Sequence, residues 1–249
     1  WNKCYFCDLY KKYKFSRRRY EEIEEDLKKA ADSEYAQNYT TCFLQDGDAF
    51  VLQTEFLMQI LEGIHKYLPN IKHVTTYARA DSIARKSVSE LRELKTAGIE
   101  HLYCGMETGS DLILRKINKG FDTATIIISG TKAKEAGMVL SEFTLFGIGG
   151  KELAEENAVE TAKVLNVIKP DFVRVHATGI KLSSEMWNYV KNKELTLQSE
   201  EEIVSEQKIM LELLADDMDC IYMNEHIVNL LLEVRGNIRT DKQNMLETI

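Results

Sequence analysis

The sequence predicts an α/β protein built on a parallel sheet, either closed as a barrel or open and doubly wound. Three observations predict it. Short apolar runs that read as strands alternate with stretches carrying apolar residues at helical spacing. Successive strand centres lie about 30 to 40 residues apart, the length of a βα unit. Two helix ends, Lys95-Thr96-Ala97-Gly98-Ile99 and Lys134-Glu135-Ala136-Gly137-Met138, place Gly where the chain turns left-handed before a strand.

The elements follow in order. Tyr20, Ile23, Leu27 and Ala30 or Ala31 share one helical face, with Ser16 as the expected N-cap. Thr41-Cys42-Phe43-Leu44 reads as a buried strand. Thr54 is expected to cap the next helix, whose stripe is Leu57, Ile60, Leu61, Ile64 and Leu68, and Pro69-Asn70 ends it. Ile71 to Tyr77 reads as strand. Ser87-Val88-Ser89-Glu90 has capping-box spacing ahead of Leu91, Leu94 and Ala97. The strands His101 to Met106 and Val139 to Phe146 follow the two Gly ends. A helix carrying Leu153, Ala158, Ala162 and Leu165 stops before Pro170, and Phe172 to His176 is the next strand. Beyond it, Ser184 to Lys191 and Glu200 to Ala215 read as helices and Asp219 to Met223 as one more strand. Ile227 to Glu233 and Gln243 to Ile249 also read as helical. No linker or low-complexity tract interrupts the chain. One domain is expected, with a core over residues 1–180 and a mainly helical C-terminal extension over 181–249 packed on it.

The composition bounds the function. A chain of 249 residues, 44% hydrophobic, can bury a full core, which excludes a disordered tail, a collagen-like repeat and a small disulfide scaffold. Lys+Arg 32 against Asp+Glu 40 gives net −8, which argues against duplex nucleic acid as the main partner. The apolar runs are too short to span a bilayer, so no membrane partner is expected. Five cysteines, an odd number, point to a reducing cytoplasm rather than to disulfides.

Parallel sheets put their chemistry at the carboxyl ends of the strands. Polar and Gly-rich residues gather there: Asp46-Gly47-Asp48, Tyr77-Ala78-Arg79, Glu107-Thr108-Gly109-Ser110, Gly147-Ile148-Gly149-Gly150, and His176. Glu225-His226 sits at the end of the last predicted strand. Such loops are polar in any α/β protein, which accounts for part of the pattern.

Cys4-Tyr5-Phe6-Cys7 is the most informative segment. Two thiolates three positions apart can bind one metal centre from a tight loop. The spacing alone fits half a zinc site, a redox dithiol or a chance pair. Cys42, Cys104 and Cys220 lie singly in predicted strands, where inert buried cysteines belong. The histidines form no pair at metal-ligand spacing.

Trp1-Asn2-Lys3-Cys4-Tyr5-Phe6-Cys7 resembles the end of the radical S-adenosylmethionine (radical SAM) motif C-x₃-C-x-Φ-C, with Phe6 as the aromatic Φ. The resemblance implies a first cysteine immediately before Trp1, with the first strand also upstream. Asp46-Gly47-Asp48 is similar to the family's Gly-Gly-Glu segment, Asp replacing the first Gly and the Glu. Glu107-Thr108-Gly109-Ser110 resembles an E-x-G-S segment, and Ile117-Asn118-Lys119-Gly120 a later one. Both are found in the subgroup that includes oxygen-independent coproporphyrinogen dehydrogenases and methylthiotransferases. Glu225-His226, Asn229, Gly236 and Asp241-Lys242 resemble the C-terminal extension of an uncharacterised branch.

The resemblance implies a partial or near-closed parallel (β/α) barrel. It implies a 4Fe–4S cluster held by Cys4, Cys7 and the upstream cysteine, with one iron open to S-adenosylmethionine, which is cleaved reductively. It also implies oxygen sensitivity and a low-potential electron donor of the flavodoxin or ferredoxin type. Gly47 and Asp48 are expected to meet the methionine amino group, and Glu107, in a segment with Gly109, the ribose hydroxyls. Ser110 either touches the cofactor carboxylate or only caps a helix. Phe6 is expected near the adenine, and Gly147 to Gly150 either admit the adenine or form a plain tight turn. Arg79, Arg115 and Arg174 are the candidates for the cofactor carboxylate, with Arg79 and Arg174 preferred because they sit at or near strand ends. His176 and His226 are candidate acids or bases toward an unknown substrate, or satisfied structural residues. Two rival readings stay open: a barrel that binds the cluster or S-adenosylmethionine without turnover, and an ordinary barrel whose C-x-x-C is incidental or binds zinc.

Overall fold

The computed structural model describes residues 1–249. Seven strands form one sheet: β1 (Thr41–Leu44), β2 (His73–Ala78), β3 (Ile99–Glu107), β4 (Val139–Phe146), β5 (Phe172–Ala177), β6 (Ile221–Met223) and β7 (Gly236–Asn237). Each strand lies beside its predecessor in sequence. The pairs from β1 to β6 are parallel, and β7 returns antiparallel to β6. A doubly wound sheet reverses its strand order at a switch point. This one never reverses, so it is a barrel wall, and because β1 and β7 do not pair the barrel is partial. The strands contributed after residue 180 extend the same sheet.

The helices are α1 (Tyr20–Ala31), α2 (Thr54–Tyr67), α3 (Ala80–Ala84), α4 (Val88–Thr96), α5 (Asp111–Lys116), α6 (Thr123–Glu135), α7 (Ala154–Ile168), α8 (Met186–Lys191), α9 (Glu200–Leu213) and α10 (Ile238–Thr248). The strands alternate their side chains between two faces. Val74, Leu102, Leu140 and Val173 join the main apolar core with Leu57, Leu61 and Ile64 of α2 and Leu165 of α7. Each such buried aliphatic side chain stabilises the fold by roughly 1.5–3 kcal/mol. No helix is long and apolar enough to cross a membrane.

Local signals hold where chemistry is local. Ser87 Oγ accepts from Glu90 N–H, and the Glu90 carboxylate takes the Ser87 N–H in return at 2.7 Å, closing the capping box. Gly98 and Gly137 adopt φ of +120° and +76°. Other expectations are corrected. α1 is capped at Arg19, whose N–H donates to the Glu22 carboxylate, and Ser16 lies outside the helix. Gln53 caps α2, while Thr54 is its first residue and donates to Glu90 Oε1 at 2.8 Å, tying α2 to α4.

Residues 227–233 form no helix. Side-chain amides take over the backbone's partners there. Asn224 Nδ2 donates to Leu230 and Leu231 carbonyls, while Asn229 accepts from Ala177 N–H at 2.8 Å and donates to Val175 O at 2.7 Å. The two-residue β7 is too short to leave a periodic signal in the sequence.

Candidate functional site

The cysteine loop is seated at the carboxyl ends of β2 and β3. Tyr5 N–H donates to Ile117 O at 2.9 Å, and Met186 N–H donates to Tyr5 O at 3.0 Å. Asn118 Nδ2 donates to Lys3 O, and Trp1 Nε1 donates to Asn118 O. The turn after α5 and the start of α8 therefore grip the loop from two sides. Tyr5 and Phe6 pack against the small cluster containing Ile113, Ile117, Leu145 and Ile148. Cys4 is buried and Cys7 half-buried, and both thiols are free.

Behind the loop lies a buried ion pair. Lys119 Nζ donates to Glu107 Oε1 at 2.6 Å and stands over the rings of Phe6 and Phe121. Burial by itself depresses an ammonium. The Glu107 carboxylate and Cys4 outweigh it, and Lys119 is held above its usual value. Burial raises the Cys4 thiol, opposed by the charges of Lys119 and Arg79.

Glu107 reaches this place through strain. It has φ +67° at a register shift between β3 and β4. Its carboxylate folds across Gly105, where a Cβ would strike it. Sequence reading missed Gly105, and it singled out Lys119 only within a motif. The signal for Lys119 was a lysine followed by Gly120, whose φ of +87° and missing Cβ make room for the Trp1 ring.

Arg79 is locked in place. Its Nε donates to Asp81 Oδ1 at 3.0 Å and its Nη2 to Lys119 O at 2.9 Å, with the guanidinium between the Trp1 and Phe121 rings. Asp48 accepts from Arg79 N–H at 3.1 Å and from Ser82 Oγ at 2.6 Å, so it fixes the start of α3. Burial pushes its carboxyl up against those bonds. Gly47 faces the Tyr10 ring, at 3.3 Å from where its Cβ would be.

Three sequence candidates pack against helices. Gly109 N–H donates to Thr161 Oγ1 at 2.9 Å, and a Cβ there would meet the α7 backbone at Glu160 and Thr161. Ser110 caps α5 by accepting from Ile113 N–H, and its hydroxyl donates to Glu156 Oε1 at 2.7 Å. Gly147, at φ +80°, donates its N–H to Glu206 Oε2 at 3.0 Å, and the segment at 195–203 covers the Gly147–Gly150 turn. Burial raises Glu206 to about 7, although Asn157, Gln198 and Gly147 all donate to it.

Arg174, His176 and His226 lie apart from the cysteines, on the concave sheet face. Arg174 Nε donates to Ser141 Oγ at 3.2 Å. The His176 and His226 rings stand 4.1 Å apart. Burial, His226 and Arg174 depress His176 to about 4. Cys4, Phe6, Arg79 and Glu107 thus converge on one centre, with Gly47 and Asp48 adjoining through Arg79 and Tyr10.

The donor set discriminates among metals. No group of three or more His, Cys, Asp or Glu side chains gathers here, so a closed four-ligand zinc set is lacking. Two soft thiols backed by two cations fit thiolate ligation of an iron–sulfur cluster, whose net charge is negative.

Residues 1–165 match the family model described as the Radical SAM superfamily. The heme chaperone HemW of Bacillus subtilis (strain 168) is 22% identical over 214 residues, 84% of this chain and 55% of that protein. The chain spans about half the length of this curated relative. Coproporphyrinogen III oxidase (HemN) from Escherichia coli, a radical SAM enzyme, superposes with TM-score 0.60 at 15% identity, over 84% of this chain and 49% of that one. Methylornithine synthase (PylB) superposes with TM-score 0.59 at 16% identity, over 99% of this chain and 65% of that one. At these identities the structural likeness bears on the fold alone.

Proposed function

The chain belongs to the radical SAM superfamily, and on that premise we propose that it is an iron–sulfur enzyme that cleaves S-adenosylmethionine reductively to start radical chemistry on a substrate of its own. The observation that supports this reading is the placement of Cys4 at the strand ends, buried against the cations Lys119 and Arg79.

Cys4 and Cys7 are the proposed ligands for two irons, and a cysteine before Trp1 for a third. When bound, the reduced cluster supplies the electron that breaks the sulfonium–carbon bond, leaving methionine and a 5′-deoxyadenosyl radical. The protein's task is to bind, orient and exclude water. Lys119 and Arg79 offset the negative charge of the thiolates in a low-dielectric setting. Glu107 has its Oε2 free to accept a ribose hydroxyl, because Lys119 occupies only Oε1. Gly47, whose missing Cβ leaves room for the Tyr10 ring, is the proposed backbone partner of the amino group at the end of β1. Phe6 and Tyr5, packed on Ile113 and Ile117, seal the loop from below.

Radical SAM enzymes need a reductant, and a flavodoxin- or ferredoxin-type donor is the proposed partner. The test uses the full gene product, reconstituted with iron and sulfide without oxygen and reduced with dithionite. Formation of 5′-deoxyadenosine, lost in Cys4→Ser, is the expected result. A colourless protein that retains zinc alone, or an intact cluster that yields no product, overturns the reading.

A second reading is favoured by the relative that is a heme chaperone. A carrier would bind S-adenosylmethionine and a cluster without turnover. The same assay separates the two.

A further inference from the structure

Residues 9–19 run from the cysteine loop to α1 and differ in charge from the rest of the chain. Six of the chain's 32 cations and none of its 40 acids fall there, in the order Leu9-Tyr10-Lys11-Lys12-Tyr13-Lys14-Phe15-Ser16-Arg17-Arg18-Arg19. The segment is pinned at both ends. Asp8 accepts from Lys181 Nζ and Ser183 Oγ at 2.8 Å each, and Lys11 Nζ donates to Glu185 Oε1 at 2.8 Å. The Tyr10 ring lies on Gly47, and the Arg17 guanidinium lies 4.8 Å from the Phe56 ring of α2. Beyond Lys11 the backbone forms neither helix nor strand until α1, and every residue from Lys12 to Arg19 is exposed.

Two properties of this surface coincide. Arg18 and Arg19 are held by Asp26 and Glu22, but Lys12, Lys14 and Arg17 have no carboxylate partner. Apolar tips stand among these cations. Leu9, Tyr13, Phe15 and Leu182 are between 67% and 76% exposed, and of the other large apolar side chains only Ile227 reaches that exposure. Leu182 belongs to the same surface, because Asp8 grips the residues on either side of it and so sets it beside Leu9. Single exposed apolar residues are ordinary on a protein surface. Four gathered with unpaired cations mark a surface that meets something.

We infer that residues 9–19 and Leu182 seat the protein on an anionic lipid surface. The inference goes beyond the proposed chemistry and does not depend on it. Side chains exposed to this degree are protrusions, not the walls of a groove. A protein partner would need matching pockets over about 800 Å², whereas a bilayer admits each tip separately. A single-stranded nucleic acid would stack on Tyr13 and Phe15, but Leu9 and Leu182 have no flat face to offer a base. Lipid accommodates all four. Aliphatic tips enter the acyl boundary, aromatic rings sit at headgroup level, and unpaired cations meet phosphates. The short apolar runs and the lack of a membrane-crossing helix bear on spanning a bilayer, and resting on its surface needs no such helix. The cysteine loop directly precedes the segment, so docking places that loop near the headgroups.

The test is flotation of the full gene product, reconstituted without oxygen, with two kinds of vesicle: phosphatidylcholine alone, and phosphatidylcholine with about one third phosphatidylglycerol. The expected result is an affinity for the anionic vesicles at least about tenfold above that for the neutral ones. Lys12→Glu/Lys14→Glu/Arg17→Glu is expected to lower the affinity for anionic vesicles by at least about tenfold. A control with the same change in net charge at exposed lysines elsewhere, Lys72→Glu/Lys95→Glu/Lys163→Glu, is expected to stay within about threefold of the native protein. Tyr13→Ser/Phe15→Ser/Leu182→Ser is expected to weaken binding by about tenfold or more. Thermal midpoint and iron per chain are followed on every variant, and the exposed positions predict native values for both. Equal affinity of the native protein for the two vesicles, or none for either, overturns the inference without any variant. So does an equal loss in the control, which assigns the effect to net charge. Full affinity in Tyr13→Ser/Phe15→Ser/Leu182→Ser overturns it as well, because it leaves a site for polyanions in general. Binding of oligo-dT or polyglutamate without vesicle binding overturns it in favour of a nucleic acid or an acidic protein.

Discussion

Lys119 Nζ donates to Glu107 Oε1 at 2.6 Å, joining the residue that ends β3 to one that follows α5, and both side chains are nearly closed to water at 6% and 12% exposure. The pair lies directly behind the cysteine loop. Removing one partner of such a pair leaves a buried charge uncompensated, which costs more than the pair itself contributes.

Lys119→Met is therefore expected to destabilise the protein by about 3 kcal/mol. Adding Glu107→Gln is expected to recover a large part of that loss. Urea unfolding of the two single variants and the double variant checks this. Additive effects with no recovery would show that the two side chains act independently.

The cysteines are expected to divide into two groups. Cys4→Ser or Cys7→Ser loses the iron bound on anaerobic reconstitution. Cys104→Ala, facing the helices in the main core, retains it. Iron per chain and visible absorbance measure both. Equal iron in all three variants would remove Cys4 and Cys7 as ligands.

Gly109 is wedged against the backbone of α7, with no flexible side chain to move aside. Gly109→Ala is expected to cost about 1–3 kcal/mol through overpacking. It is also expected to lengthen the Gly109 N–H to Thr161 Oγ1 bond. A thermal melt reports the first. A wild-type midpoint would mean that α7 shifts freely.

Glu142 gives a pH signature. It is fully buried on the helix side of β4 with no nitrogen or oxygen partner for either carboxylate oxygen, and burial, opposed by the neighbouring Cys104 thiol, raises it from 4.5 to about 8. The folded protein holds this proton in a pH range where the unfolded chain has released it. Its contribution to stability is fully present below about 4.5 and is lost as pH rises through about 8. The slope from this one group is at most about 1.4 kcal/mol per pH unit. Glu142→Gln is expected to flatten that part of the profile and to be the more stable protein at pH 8. Parallel pH profiles in the native protein and the variant would refute the assignment.

Much of the site was legible. Cys4, Phe6, Arg79 and Glu107 were singled out from sequence, and they converge at the ends of β2 and β3. Asp48 and Ser110 were also singled out. Their polar atoms are engaged with Arg79 and Ser82, and with Ile113 and Glu156. A sequence records that a residue can accept a hydrogen bond, but not which neighbour offers one first. The same limit hid the structure at 227–233, where apolar spacing resembled a helix. Asn224 and Asn229 satisfy the backbone instead, through bonds spanning up to 54 residues.

What the sequence alone determined is what repeats at short range: the alternation of strand and helix, the two faces of each strand, the left-handed Gly turns and the paired thiols. These depend on neighbours within a few residues, where chain geometry fixes the spacing. Only the tertiary structure decided that the strands add in order into a partial barrel, that Lys119 pairs with Glu107, and that Gly109 is wedged against α7. Those outcomes depend on which distant segments dock. Periodicity shows that a face will be buried or exposed, while close packing in three dimensions selects what it meets.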